Sequence, residues 1–199
     1  MQMTMIDVMY APTKDLTLMM MGTYVSKDMT LGTYAAMMDR NLLGTFKTSS
    51  SDLSELTFSA LRTISHADNS KWHAEVTLQK SLGNNEQTGL VLTPMGTEMN
   101  MILPYAMQPS DKATRLILGL INSRKLSEKV SWTNQARFKK VLDEKEWALG
   151  DKLELNSWVQ YQYKSSLSVS TRLKFVSQKD ISGSNPMIMA PVQTANPEN

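Results

Sequence analysis

The residues Lys152–Lys164, which read KLELNSWVQYQYK, decide the fold class of this 199-residue chain. Leu153, Leu155 and Val159 occupy one parity of this stretch, and polar residues such as Glu154 occupy the other. Because successive side chains of an extended strand point to opposite faces, this alternation predicts a strand with one apolar and one polar face. A helix would scatter the charged residues around its whole circumference, so we expect strands.

The same alternation recurs along the chain and predicts an all-β, antiparallel fold of about eight strands. The predicted strands are Met3–Ala11, Leu16–Val25, Leu56–His66, Lys71–Leu82, Ala113–Asn122, Lys129–Leu142, Asp151–Lys164 and Leu167–Gln178. Most are longer than the usual globular strand, and a tilted strand of about ten residues matches the hydrocarbon thickness of a bilayer.

Short and long connections alternate between these strands. Tight turns such as Pro12–Asp15 are followed by long loops, first Ser26–Glu55 and then Gly83–Lys112. This order is typical of an up-and-down transmembrane β-barrel, with short turns on one side and long loops on the other. We therefore expect one barrel domain over residues 1–199, with a loop-like tail over residues 179–199. Both long loops are apolar enough to fold inward as a constriction.

Aromatic residues of the apolar parity predict two girdles at the two membrane interfaces. The first set, close to the short turns, comprises Tyr10, Trp72, Trp132, Tyr161 and Tyr163. The second set, near the opposite strand ends, comprises Tyr24, Phe138 and Phe175.

Composition excludes several classes of protein. Cysteine is absent and there are two histidines, His66 and His73, so thiolate sites and most histidine-based centres are ruled out. His73 lies on the polar parity, where it either meets Glu75 or remains a solvated histidine. No nucleophile, base and orienting group converge, so we do not expect an enzyme. A net charge of +2 is too small to indicate a nucleic-acid partner.

If the apolar parity faces lipid, the polar parity lines the interior of the barrel. Mixed charges on that face either orient small solutes along a water-filled passage or pair with one another as a plug. The lumen-lining candidates are Asp7, His73, Glu75, Arg137, Lys139, Lys152, Glu154, Arg172 and Lys174.

Methionine is unusually frequent, at 16 residues, and several pairs are spaced i, i+2. On an extended chain that spacing puts both thioethers on one face, and soft thioethers favour Cu(I). The copper candidates are Met19, Met21, Met99, Met101, Met187 and Met189, and Met3 and Met5 form a further pair. The alternative is that these residues are flexible apolar fillers, in which case no cofactor is expected.

Four segments resemble, in order, the outer-membrane barrel family named after the meta-pathway of phenol degradation. They are Met9–Met29, Leu103–Gln108, Leu149–Trp158 and Asn185–Pro191. The resemblance implies a closed antiparallel barrel in the bacterial outer membrane. It also implies contact with membrane lipid and transport of small solutes, aromatic or otherwise hydrophobic compounds among them.

The chain departs from that family at both ends, where a signal peptide and a terminal aromatic strand are expected. We therefore interpret it as an internal fragment of a longer barrel whose signal peptide is missing. Two other functions stay open at this point. One is a methionine-rich barrel that handles copper, and the other is a soluble β-barrel that carries a ligand in its interior.

Overall fold

A computed structural model describes residues 1–36, 41–143 and 145–188 of the chain. The protein is all-β: 73% of the residues in these ranges lie in strands, and they contain one short 3₁₀ turn at Tyr105–Met107. None of the described residues belongs to a helix long and apolar enough to cross a membrane. The strands are β1 (Gln2–Thr13), β2 (Leu16–Tyr34), β3 (Leu42–Ala67), β4 (Ser70–Ser81), β5 (Thr88–Leu92), β6 (Glu98–Ile102), β7 (Thr114–Lys125), β8 (Val130–Asp143), β9 (Trp147–Ala148), β10 (Lys152–Lys164), β11 (Leu167–Gln178) and β12 (Ser182–Gly183).

Eight of these strands form one antiparallel sheet that curls into a half-barrel. Their order is β1-β2-β3-β4-β7-β8-β10-β11, so strands that follow one another along the chain are neighbours in the sheet. The predicted fold class, an incomplete antiparallel up-and-down barrel sheet, is confirmed. Each of the eight predicted strands corresponds to one strand of this sheet.

Hydrogen-bonded rows run obliquely across the half-barrel. The row that starts at Tyr10, close to the β1–β2 turn, ends at Ser177, at the far end of β11 from its own turn. Its members are Tyr10, Leu18, Ala60, Val76, Leu118, Phe138, Leu153 and Ser177. Such a stagger accompanies strand tilt, which a sheet needs in order to curl into a barrel.

The side chains are distributed in the opposite way to those of a water-soluble domain. On one face, Thr77 and Gln79 are only 1% and 2% exposed, whereas Phe58 on the other face is 50% exposed. The polar parity is therefore the enclosed, inner face of the half-barrel, and the apolar parity is its outer face. The residues that form a conventional hydrophobic core lie in the connections between the strands.

The prediction of a loop at Ser26–Glu55 is wrong. Here β2 and β3 continue as a paired hairpin up to Tyr34 and Leu42, which we call the extension (residues 26–34 and 42–51). Alternation persists through this segment, but the apolar residues change to the other parity. Met29 and Leu31 continue the inner parity of Val25, and the outer parity becomes polar at Asp28. A sequence prediction that follows one continuous apolar face ends the strand where the apolar parity changes, and it therefore assigns the extension to a loop.

The long connection Gly83–Lys112 also contains regular structure. Its β5–β6 hairpin packs against the extension, where Thr33 Oγ1 donates a 2.6 Å hydrogen bond to the carbonyl of Leu92. A small core fills the space between them. It consists of Val91, Leu103 and Met107, with Met29, Phe46 and Met101 partly buried around it.

Candidate functional site

The strand register places all nine lumen-lining candidates on the inner face. The middle of this face is an ion-pair network centred on Arg137 of β8. Its guanidinium lies 2.8 Å from Glu75 on β4 and 3.8 Å from Glu154 on β10. Lys152 and Lys174 approach the same Glu154 carboxylate at 2.7 Å and 3.6 Å. Five of the nine candidates therefore belong to one network.

A glycine allows this network to cross a strand. Gly119 of β7 lies between Glu75 and Arg137 in the register, and a Cβ atom there would lie 2.7 Å from the Glu75 carboxylate. Any larger residue would occupy the space through which the two side chains meet. Nothing in the alternation pattern singled out Gly119, because its role depends on which residues the register places beside it.

The other four candidates lie outside this network. Asp7 is on the edge strand β1 and is paired with Met21. Arg172 donates a 2.7 Å hydrogen bond to Asn156, and Lys139 faces the interior near Lys152. His73 does not meet Glu75 as one of the expectations had it: its Nδ1 lies 3.2 Å from Thr63 Oγ1.

One end of the inner face is covered by three chain segments, which we call the cap (residues 103–113, 145–150 and 181–188). The first segment is held by its backbone carbonyl groups. Lys27 Nζ donates to Ala106 O at 2.8 Å and to Gln108 O at 2.7 Å, and Ser54 Oγ donates to Pro109 O at 2.7 Å. Ser50 also donates a hydrogen bond to this segment. The expectation that loop Gly83–Lys112 folds inward agrees with this arrangement.

A buried ion pair joins the cap to strand β7 of the sheet. Arg115 of β7 forms a bidentate pair with Asp111, and it also donates to Leu149 O at 3.1 Å. The amide of Leu149 returns a 2.9 Å hydrogen bond to Asp111. Burial raises the pKa of Asp111, but Arg115 and the amides of Leu149 and Ala113 outweigh it and hold this pKa below its usual value.

The remaining cap segments form a small core of their own. Tyr105 and Trp147 pack with ring centroids 4.7 Å apart, and Ile181 and Ile188 complete the cluster. Strand β12 pairs with β9, so this part of the predicted loop-like tail is ordered structure. The sequence predicts a loop here because the tail is rich in Ser, Gly, Pro and Asn. Its Ile181 and Ile188 are nevertheless buried by contacts with distant segments. Its last residues, 189–199, lie outside the described ranges.

Beneath the cap the inner face lines a half-open chamber of about 410 Å³. All eight strands of the sheet and all three cap segments contribute to its lining. Its charged lining residues are Lys27, Glu55, Asp111, Arg115, Lys139 and Lys152. Sequence reasoning identified two of these, Lys139 and Lys152. It missed Lys27, Glu55 and Asp111 because they lie in segments predicted as loops. Arg115 lies in the predicted strand Ala113–Asn122, but Ile117 and Ile121 share its parity, so that parity does not read as polar.

The methionine pairs lie on separate elements. Met19 and Met21 are on the inner face of β2, where β1 places Met9 opposite Met19. Met101 packs into the small core under the β5–β6 hairpin, whereas Met99 of the same strand is 54% exposed. Met187 is exposed on the cap, and Met189 lies outside the described residues. Within the described ranges, no group of three or more His, Asp or Glu side chains could hold a metal ion.

Comparison with known proteins adds no relative. No family model matches the sequence, and no curated protein matches it. The resemblance to the outer-membrane barrel family named after phenol degradation therefore stays a prediction. What the fold and the site define is a class: an antiparallel half-barrel with a polar, capped inner face and an apolar outer face.

Proposed function

We propose that this chain forms part of a β-barrel of the bacterial outer membrane that lets small solutes pass. The observation that carries the proposal is the change of apolar face within β2 and β3. In the wall, which is the part of the eight-stranded sheet outside the extension, the apolar residues point outward. In the extension Met29, Leu31 and Phe46 point inward.

The outer face of the wall supports contact with lipid. Its exposed large apolar residues include Leu18, Met20, Phe58, Val76, Leu78, Leu118, Leu120, Phe138, Leu155, Val159, Leu173 and Phe175. A water-soluble monomer rarely exposes a continuous apolar surface of this extent. Tyr10, Tyr161 and Tyr163 near the short turns are also exposed on this face, at the level where a bilayer interface accommodates amphipathic rings.

The extension supports a boundary between lipid and water. Its outward positions Asp28, Thr30 and Lys47 are polar and exposed, and its inward positions Met29 and Phe46 are covered by the β5–β6 hairpin. This is the arrangement of a water-soluble domain. The level of Lys27, where the arrangement changes, is therefore our proposed position for the outer edge of the hydrocarbon layer.

The inner face supports a narrow path. The Arg137 network occupies its middle, and the cap covers its end beyond the proposed boundary. Of the two alternatives, passage and plug, we propose a passage restricted by these two features. Such a path admits only small solutes, and it does so without a catalytic step.

The test is electrical. The full-length protein, refolded into planar phospholipid bilayers, should produce discrete single-channel conductance steps. Removing residues 103–111 from the cap by substitution with a short Gly/Ser linker should enlarge the steps. A protein that stays in the aqueous phase when mixed with phospholipid vesicles would contradict the membrane assignment. A protein that inserts but never conducts would contradict the passage.

A second candidate function, the handling of Cu(I), is favoured by one observation. The register brings Met9, Met19 and Met21 together on the inner face of β1 and β2, with Met5 on the same face. Thioether ligands of this kind suit Cu(I).

Competition with a chromophoric Cu(I) chelator tests it. Replacing Met9, Met19 and Met21 by Leu should abolish Cu(I) retention, whereas Met99→Leu and Met101→Leu should leave it unchanged. Equal retention by the two variants would leave these methionines with a packing role.

A further inference from the structure

The chamber under the cap has two kinds of lining. Charged side chains lie on the side formed by the strands, and aromatic and aliphatic side chains lie on the cap side. A ligand that occupies the chamber therefore meets both kinds of surface.

A cation faces the same space. Lys139 of β8 lines the chamber, and the structure gives its ammonium no ion pair or side-chain hydrogen bond among the described residues. Its charged neighbours are Glu55, Arg115, Lys152 and Glu154. Both acidic groups near it are engaged elsewhere: Glu154 pairs with Lys152, and Glu55 accepts a hydrogen bond from Gln79.

The charge balance of the chamber favours an anion. Its lining holds four cations, Lys27, Arg115, Lys139 and Lys152, against two carboxylates, those of Glu55 and Asp111. Asp111 is already paired with Arg115. Lys152 is likewise paired with Glu154 beside the chamber, so Lys27 and Lys139 against Glu55 leave an excess of one positive charge. In a partly enclosed space this charge attracts an anion more strongly than it would in open water.

The cap side of the chamber has a different chemistry. Tyr105, Trp147, Leu149 and Ile181 line it, so apolar surface stands opposite the cationic wall. A ligand that fits both sides has one anionic group and an apolar body. Inorganic phosphate or chloride would interact favourably only with the cationic side of the chamber, and a neutral hydrocarbon only with the apolar cap side.

We propose that the chamber binds a small organic carboxylate whose carboxylate group accepts a hydrogen bond from Lys139 and whose apolar body lies against the cap. This site defines the class of solute that the barrel selects, so the inference rests on the function proposed above. Binding itself requires neither a membrane nor conductance, so it can be tested separately.

The test is isothermal titration calorimetry of the detergent-solubilised full-length protein with hexanoate as the probe. Hexanamide, which has the same shape without the charge, is the matched neutral compound. Hexanoate should bind and hexanamide should not compete with it. Lys139→Met should weaken hexanoate binding by about tenfold or more, as expected for a charge-assisted hydrogen bond.

A control variant separates the site from general effects. Lys71→Met removes a positive charge from an exposed position near the short turns at the other end of β4, and it should change binding by less than about twofold. Circular dichroism should show that both variants are folded.

Three results would overturn the proposal: no heat of hexanoate binding at millimolar concentration, equal binding of hexanamide, or a loss in Lys71→Met as large as that in Lys139→Met. A protein that conducts in bilayers but shows one of these results has a passage without this site. A protein that binds hexanoate as expected but never conducts has the site without the passage.

Discussion

The wall and the extension are built from the same two strands, β2 and β3, but their side chains are distributed in opposite ways. In the wall, Leu18 and Phe58 face outward and Thr57 is buried inside. In the extension, Asp28 faces outward and Met29 packs under the β5–β6 hairpin. The backbone pairing continues across the change with one bulge between Thr23 and Tyr24. The pairing of the strands therefore does not depend on which face is apolar. The surroundings of each segment decide which face that is.

The largest effect should come from placing a charge on the outer face of the wall. Leu118 lies between Val76 and Phe138 in the register, so Leu118→Arg puts a cation in the middle of the apolar band. We expect a loss of about 2–4 kcal/mol in the free energy of unfolding, measured by urea titration in phospholipid vesicles. Thr30→Arg, at an outward and exposed position of the extension, is the matched control and should have little effect. Equal effects of the two substitutions would contradict the proposed difference between the outer face of the wall and that of the extension.

The next effect concerns the core of the extension. Leu103 is fully buried against Val91 and Met107, and Leu103→Ala should cost about 2–3 kcal/mol because it leaves a cavity in a water-facing core. Limited proteolysis should then cut the β5–β6 hairpin faster. Leu120→Ala, on the outer face of the wall, removes the same atoms from a side chain that is 42% exposed and should not change the rate of that cleavage.

A smaller effect is expected at Gly119. The added methyl group of Gly119→Ala would displace the Glu75 carboxylate from Arg137, and overpacking of this kind costs about 1–3 kcal/mol. The midpoint of urea unfolding measures it. Gly22→Ala is the control, because a Cβ atom there would have its nearest neighbours at 4.0 Å, on Leu53 and Leu56. A Gly119→Ala midpoint equal to that of Gly22→Ala would show that Glu75 reaches Arg137 by another route.

The smallest effect is the pH dependence of the cap. The pKa of Asp111 is lower in the folded protein than in the unfolded chain, so its pairing with Arg115 contributes stability above the unfolded value and loses it as pH falls through the folded one. The cap should therefore stay closed between pH 7 and about pH 5 and loosen below about pH 4. Limited proteolysis, with cleavage mapped within residues 103–113 after incubation at each pH, follows this change. Asp111→Asn should remove the pH dependence.

The positions of the eight main strands could be read from the sequence because alternation is a local property. A strand such as Leu167–Gln178 was predicted with the same limits that the structure has. The nine lumen-lining candidates were assigned to one face for the same reason. The prediction did not extend to the partners: the contact of Arg137 with Glu75 depends on the register of three strands and on the missing side chain of Gly119.

The sequence by itself determined the eight main strands outside the extension, their apolar and polar parities and the class of fold, because each depends only on neighbours along the chain. The tertiary structure decided the rest. Residues far apart in sequence, such as Tyr105, Trp147 and Ile181, form the cap, and Asp111 and Leu149 meet at Arg115 only because the strands return to the same end of the sheet. Whether an alternating strand shows its apolar side to the interior or to the outside is a property of what covers it. The segments that cover each face come together only when the chain folds, so the alternation alone does not predict them.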